Sequence, residues 1–310
     1  MQSFKISLSN GANVAGIHNI PPRSASALTH RPLIIGLHGS TYDCHYFDTD
    51  NAHTALIASS AFGVPFVSID RPGYGGTTSF LPVSENSSFP EETGIWLHRY
   101  ILPALWSEFG VRNSCNCIVL LCHSLGSMGG IVAAATHAQD RESVYPLGGV
   151  IISGLADKLL EAMKENPVRE PNVPPEYVLF PRDIKDNLMF PPQTVHPAIL
   201  KHTDRLNCRS PFAEIESLRT QWLPTWRDQW ASHVVAPLMF GLAERDCFFE
   251  GTEEHVRDCI AAFRNSVRAD GSLIRHAPHC LELSYWSQGW YARCFGFAIE
   301  CSTSYAAAIQ

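Results

Sequence analysis

The 310-residue chain carries little charge: 17% of its residues are Asp, Glu, Lys or Arg, and the formal net charge is −7. It has no run of Lys or Arg, so nothing builds the positive surface that nucleic acid or an anionic membrane would require. Zinc-type and redox-type Cys/His spacing is also missing. "SCNCIVLLC" gathers three cysteines, yet Cys115 and Cys117 stand one residue too close for C-x-x-C. No metal site is therefore expected. Neither a G-x-x-x-x-G-K-[ST] nor a G-x-G-x-x-G loop occurs, so no nucleotide or other cofactor is expected. The start, "MQSFKISLSNGANVAGIHNI", lacks the basic and apolar blocks of a signal peptide. The end, "SYAAAIQ", carries no lipidation or peroxisomal address. The expectation is a cytoplasmic protein whose ten cysteines are reduced thiols packing as small hydrophobes.

What the chain has is apolar material. Hydrophobic residues make up 45%, with 16 Phe, 7 Trp and 9 Tyr, enough for one large α/β domain with an insertion. Alternating Phe4, Ile6 and Leu8, then Asn10-Gly11, then Val14 and Ile17 predict a hairpin. After it, short β-branched runs alternate with helical patterns: strands over 31–40, 64–70, 116–122 and 148–156, with helices over 55–63, 91–110 and 126–138 between them. Such alternation predicts a parallel sheet covered on both faces. The alternation then stops. Nine of the 21 prolines fall between Pro167 and Pro211, which rules out another strand-helix-strand unit there. The expected organisation is a core over 1–156 and 216–310 with an inserted lid over 157–215. Order resumes with a helical pattern from 216, a strand over 236–244, a helix over 253–263, a strand over 271–277 and a last helix from about Leu281.

"IVLLCHSLGSMGGIVAAA" (118–135) contains no charged residue, yet His123 and Ser124 interrupt it. A membrane span of about 20 residues is one reading. Against it, Gly126, Gly129 and Gly130 are poor helix formers, and the residues before the interruption are strand-like. A buried strand, a sharp turn at His123-Ser124-Leu125 and a helix account for every choice. Ser124 would then stand at a helix N-terminus, whose dipole favours developing negative charge.

"CHSLG" resembles the G-x-S-x-G nucleophile elbow of the α/β hydrolases. The turn needs small residues two before and two after the serine. Gly126 meets the second need, while Cys122 stands where the motif prefers glycine, and a tighter turn is expected. "LHGST" and "DRPGYGGT" are similar to the family's His-Gly loop and Asp-x-x-Gly-x-Gly turn, in which Asp70 is structural. "LHGSTYDCHYFD" also resembles small intracellular hydrolases of fungal specialised metabolism.

The resemblance, which runs from Leu33 to Leu283, implies an α/β-hydrolase fold and the chain order Ser, acid, His. "PLMFGLAERDCFFE" offers Glu244, Asp246 and Glu250 as the acid, and Asp246 matches the family's position. "SLIRHAPHCLELSYW" offers His276 and His279; His279 has the family's place before the last helix. The oxyanion hole is implied at the N–H groups of Leu125 and Ser40. His38 either braces that loop or carries a proton, with bracing preferred because His279 already supplies the base.

The implied activity is a serine hydrolase opening an ester, thioester, lactone or ketone-adjacent carbon–carbon bond through an acyl-enzyme. Non-hydrolytic catalysis and ligand reception on the same scaffold are the alternatives. A small-molecule substrate is the expected partner. Trp222, Trp226 and Trp230 recur every four residues, with Phe180, Phe190 and Phe212 in or beside the insertion. They either pack the insertion on the sheet or, with His38, Thr41 and His123, line a pocket for a lipophilic or aromatic substrate.

Overall fold

The computed structural model describes residues 1–164 and 170–308. The expected insertion over 157–215 therefore includes residues 165–169, which lie outside the described residues.

Eight strands form one sheet: β1 (Gln2–Ser7), β2 (Asn13–Asn19), β3 (Pro32–Leu37), β4 (Phe66–Ile69), β5 (Cys117–His123), β6 (Leu147–Ser153), β7 (Leu238–Arg245) and β8 (Ala269–Pro278). Their spatial order is β1-β2-β4-β3-β5-β6-β7-β8. The first two strands are the expected hairpin, and β2 runs antiparallel to β4. All other neighbours are parallel. Parallel strands need helices on both faces, and the sequence provides for this through uninterrupted apolar runs. In β3, Leu33, Ile35 and Leu37 face one core cluster while Ile34 faces the other; in β5, Ile118 and Leu120 oppose Val119 and Leu121.

Helix α1 (Leu56–Phe62), the helical stretch from α2 (Phe89–Trp96), α3 (Gly126–Gln139) and the long C-terminal helix from Ser287 to Ala308 cover the sheet. The stretch expected as one helix over 91–110 is broken by π-type turns at Leu97–Ile101 and Trp106–Gly110. The first widens just before Pro103, which has no N–H to donate. The last helix starts at Ser287, later than the Leu281 expected from the sequence, because Leu281–Leu283 forms a 3-10 turn. Extended Ser284 follows that turn and accepts the Trp286 N–H on its hydroxyl at 3.2 Å.

Between β6 and β7 the chain leaves the sheet, as the prolines require. Among the described residues it first forms a two-residue ribbon pairing Tyr177–Val178 with Ser210–Pro211, a short helix Arg182–Met189 and 3-10 turns. Helical backbone then runs from Phe212 through a π turn at Leu218–Trp222 to Gln229, crossing residue 216 without a break. Two ionic contacts bind this excursion to the core, the first buried and the second partly exposed. Arg71 and Tyr74 of the Asp-x-x-Gly-x-Gly turn both engage Glu214. Asp157 meets Arg227 at 2.6 Å and His255 at 3.0 Å.

The ten cysteines are free thiols, eight of them buried. Among the described residues, no helix is long and apolar enough to cross a membrane, so the apolar run at 118–135 is a strand, a turn and a helix.

Candidate active site

Ser124 stands between the end of β5 and the start of α3 with φ +50°, the left-handed region that a non-glycine residue enters only when its surroundings hold it there. Its N–H donates to the Ser153 carbonyl at 2.7 Å, fixing the turn to the neighbouring strand. Close packing explains the small residues around it. A Cβ on Gly126 would lie 2.3 Å from the His38 carbonyl oxygen, and one on Gly39 would lie 2.9 Å from Ser124 Cβ. The His-Gly loop is therefore pressed against the serine. Cys122 fits because its sulfur faces Gly130, where an added Cβ would meet Sγ at 2.5 Å.

The structure brings Ser124, His279 and Asp246 together from three distant segments. His279 Nε2 lies 3.1 Å from Ser124 Oγ, and Nδ1 lies 2.8 Å from Asp246 Oδ2. The other Asp246 oxygen accepts the N–H groups of Phe248 at 2.9 Å and Phe249 at 3.2 Å. Asp246 and His279 are almost wholly buried, and Phe248 meets the imidazole edge-on with ring centroids 4.7 Å apart. A carboxyl oxygen facing Nδ1 favours the tautomer with hydrogen on that nitrogen, which leaves Nε2 as an acceptor facing Ser124 Oγ.

The competing residues lie elsewhere. His276 is exposed, and its N–H and ring engage Glu244, which also pairs with Arg275. Glu250 sits in the loop before the helix Glu253–Ala261, with its carbonyl on His255 Nδ1 at 2.8 Å. Asp70 holds the turns around it, accepting the N–H groups of Cys44 at 3.0 Å and Gly76 at 2.8 Å.

His38 uses both ring nitrogens within the protein. Nδ1–H donates to the Gly39 carbonyl at 2.7 Å, and Nε2 accepts the Arg71 N–H at 3.2 Å. Burial, with the Arg71 guanidinium beside it, pushes its pKa down to about 3, so the ring is neutral. That is the bracing geometry. Neither the Ser40 N–H nor the Leu125 N–H finds an acceptor among the described residues. Thr41 is buried at φ +66°. His123 is buried parallel to Tyr46, 4.7 Å between centroids, with Nδ1 3.0 Å from Ser153 Oγ. Burial, together with nearby His279, holds it well below the usual imidazole range.

The aromatic candidates separate. Trp222 and Trp226 stack in the core and, with Ile131, Ile152, Leu155, Ala156, Phe240 and Phe263, line a cavity of about 10 Å³. Trp230 packs against the same cluster, and Phe190 is buried in the opposite one, which also holds Met189 and Cys280. Phe180 is half-buried, and its carbonyl accepts from Asn207.

Sequence reasoning missed two features. Glu282 is fully buried behind the site and accepts from Tyr46 OH at 2.7 Å and Trp290 Nε1 at 2.8 Å. Burial raises its pKa, and the hydrogen bonds oppose that rise. Its place three residues after His279 was the available signal. Ser210 and Lys185 of the excursion both touch the His-Gly loop, and no sequence signal pointed to them. Among the described residues, metal-type donor atoms come within 4.8 Å of one another in three groups: Asp43, Cys44 and His45; Asp157, His255 and Cys259; and Asp246, Cys247 and His279. The second is already balanced by Arg227, and the third includes the pair that faces Ser124.

A family model described as the alpha/beta hydrolase family matches residues 34–289. The chain belongs to that family and is a hydrolase-type enzyme. A comparison with curated protein sequences found no match. Among solved structures, the hydrolase is similar to a monoacylglycerol lipase of Paleococcus ferrophilus, with TM-score 0.60 and 14% identity over 97% of this chain and 100% of that one. It is also similar to a thermophilic esterase of Thermogutta terrifontis, with TM-score 0.58 and 15% identity over 97% and 100%. An E-2-(acetamidomethylene)succinate hydrolase gives 0.58 and 15% over 96% and 98%. At these identities the likeness is one of fold.

Proposed function

We propose that this enzyme is a serine hydrolase in which Ser124 is the nucleophile, His279 the base and Asp246 the group that orients it. One observation carries the reading: His279 spans from Asp246 to Ser124 at 2.8 and 3.1 Å, with the serine held at φ +50° on a strand-to-helix turn. Attack by Oγ on a carbonyl passes its proton to Nε2. The tetrahedral oxyanion is received by the unpartnered N–H groups of Leu125 and Ser40. Imidazolium then protonates the leaving group, and water, activated by the same nitrogen, releases the acyl-enzyme.

The substrate we propose is a small lipophilic or aromatic ester, thioester or lactone, or a ketone with a cleavable neighbouring carbon–carbon bond. Support comes from Phe248, which packs against His279, and from the aromatic Phe190 buried in the excursion. The excursion over 157–215 would serve as a lid, since its residues reach the His-Gly loop. The likeness of "LHGSTYDCHYFD" to hydrolases of fungal specialised metabolism supports a place there, in the cytoplasm.

The test is a panel of ester, thioester and diketone substrates on wild type and Ser124→Ala, with fluorophosphonate labelling of both. Turnover and single-site labelling that disappear together in Ser124→Ala are expected. Labelling that persists in the variant sinks the assignment.

A further inference from the structure

The Gly39-Ser40-Thr41 loop does not hold its own shape. Thr41 is β-branched yet sits at φ +66°, a conformation such side chains rarely adopt. Both of its backbone polar groups are taken by residues between β6 and β7. Its N–H donates to Ser210 Oγ at 2.7 Å. Its carbonyl accepts from Lys185 Nζ at 2.9 Å and from the Cys208 N–H at 2.9 Å. Ser40 Oγ also donates to Ser210 Oγ at 2.8 Å. All three residues come from a segment more than 140 positions away in the chain.

The contacts are built for permanence. Ser210 is fully buried. Lys185 is 4% exposed, and its ammonium also donates to the Leu206 carbonyl at 2.7 Å while lying 4.0 Å from the Tyr42 ring centroid. Among the described residues it pairs with no carboxylate. A buried cation spent on two carbonyls is costly unless it fixes something. Here it ties the helix Arg182–Met189 to Thr41.

We infer that Ser210 and Lys185 are positioning residues for the oxyanion hole, setting the direction of the Ser40 N–H through Thr41. This rests on the proposed serine-hydrolase reading, in which that N–H stabilises the oxyanion. On one side of Ser40, Gly39 is pressed against Ser124 Cβ. On the other, Thr41 is pinned by the excursion. Releasing Thr41 lets the Ser40 peptide turn away, and a hydrogen bond that matters in the transition state loses its alignment. The excursion would then act on the chemical step as well as on substrate choice.

The experiment compares kcat and KM for p-nitrophenyl acetate in wild type, Ser210→Ala, Ser210→Thr, Lys185→Met and Ser124→Ala, with the thermal midpoint of each. Acetate is chosen because its small acyl group needs the triad and oxyanion hole but little of any pocket. Ser210→Ala is expected to lower kcat about 10-fold or more with KM nearly unchanged, given that losing an oxyanion donor outright costs about 10²–10³. Ser210→Thr, which keeps the hydroxyl, should recover most of the loss. Lys185→Met should fall in the same direction, and it carries the test if Ser210→Ala does not fold. A folded Ser210→Ala or Lys185→Met with kcat within about twofold of wild type, or with a change in KM alone, overturns the inference. If instead wild type shows no activity that depends on Ser124, the underlying reading fails first.

Discussion

Asp246 and His279 are joined at 2.8 Å in a setting that leaves the carboxylate no other orientation, because its second oxygen is held by the N–H groups of Phe248 and Phe249. The carboxyl group is thus held by its own loop as well as by the imidazole. Replacing Asp246 by Asn keeps a carbonyl oxygen for those two N–H groups but removes the charge that selects the Nδ1–H tautomer. We expect kcat to fall by roughly 10⁴ with little change in thermal midpoint. Retention of a tenth of wild-type turnover in Asp246→Asn would remove the orienting role.

His279 and His276 should differ sharply. His279→Ala removes the group facing Ser124 Oγ and should lower kcat by about 10³ or more. His276 lies exposed against Glu244, so His276→Ala should leave kcat within about twofold. Steady-state kinetics on one activated ester decides it, and greater damage from His276→Ala would exchange the roles.

Gly126 tests the packing of the elbow. A methyl group there would sit 2.3 Å from the His38 carbonyl and 2.7 Å from that of Leu37, both backbone atoms that cannot step aside. Gly126→Ala should cost about 1–3 kcal/mol of stability and shift the loop beside Ser124. Denaturant titration with phosphonate labelling measures both. A variant as stable and as fast to label as wild type would mean the turn has slack that the geometry denies.

Asp157 predicts an acid-sensitive contact. Burial would raise its pKa, but hydrogen bonds from His255 and Arg227 outweigh that and bring it down to about 2. A carboxylate depressed on folding adds stability that is fully present above its unfolded pKa, near 4, and is lost as pH falls toward 2. Asp157→Asn should therefore cost about 1 kcal/mol at pH 7, allowing for partial solvent screening. The difference from wild type should shrink between pH 4 and pH 2. Melting curves across that range check the sign, and a constant difference contradicts it.

Phe190 tests substrate choice. Phe190→Ala should change the ratio of kcat/KM for a long-chain or aryl ester over an acetyl ester, because a larger acyl group needs a wall that acetyl does not. Equal losses on both esters would assign Phe190 to packing alone, in the cluster that also holds Met189 and Cys280.

The sequence by itself determined the sheet and the strand, turn and helix around Ser124, while the order of the site residues was implied by the resemblance to the α/β hydrolases. Strand, turn and helix are local choices, written in apolar periods of two and 3.6 and in the small residue at Gly126. That is why "CHSLG" could be read directly, whereas the resemblance to the α/β hydrolases, not any local period, set Asp246 and His279 above Glu244 and His276. Local pattern also misjudged local features. Pro103 opened a π turn inside an apparent single helix, and Ser284 delayed the last helix to Ser287. Only the tertiary structure decided what surrounds the site. The spent ring nitrogens of His38, the buried Glu282 and the hold of Ser210 and Lys185 on Thr41 are contacts between residues far apart in the chain, apart from the short link from His38 to Gly39. Such contacts obey no spacing rule. They arise when packing shuts water out and leaves each buried donor and acceptor to find its partner in whatever segment the fold brings near.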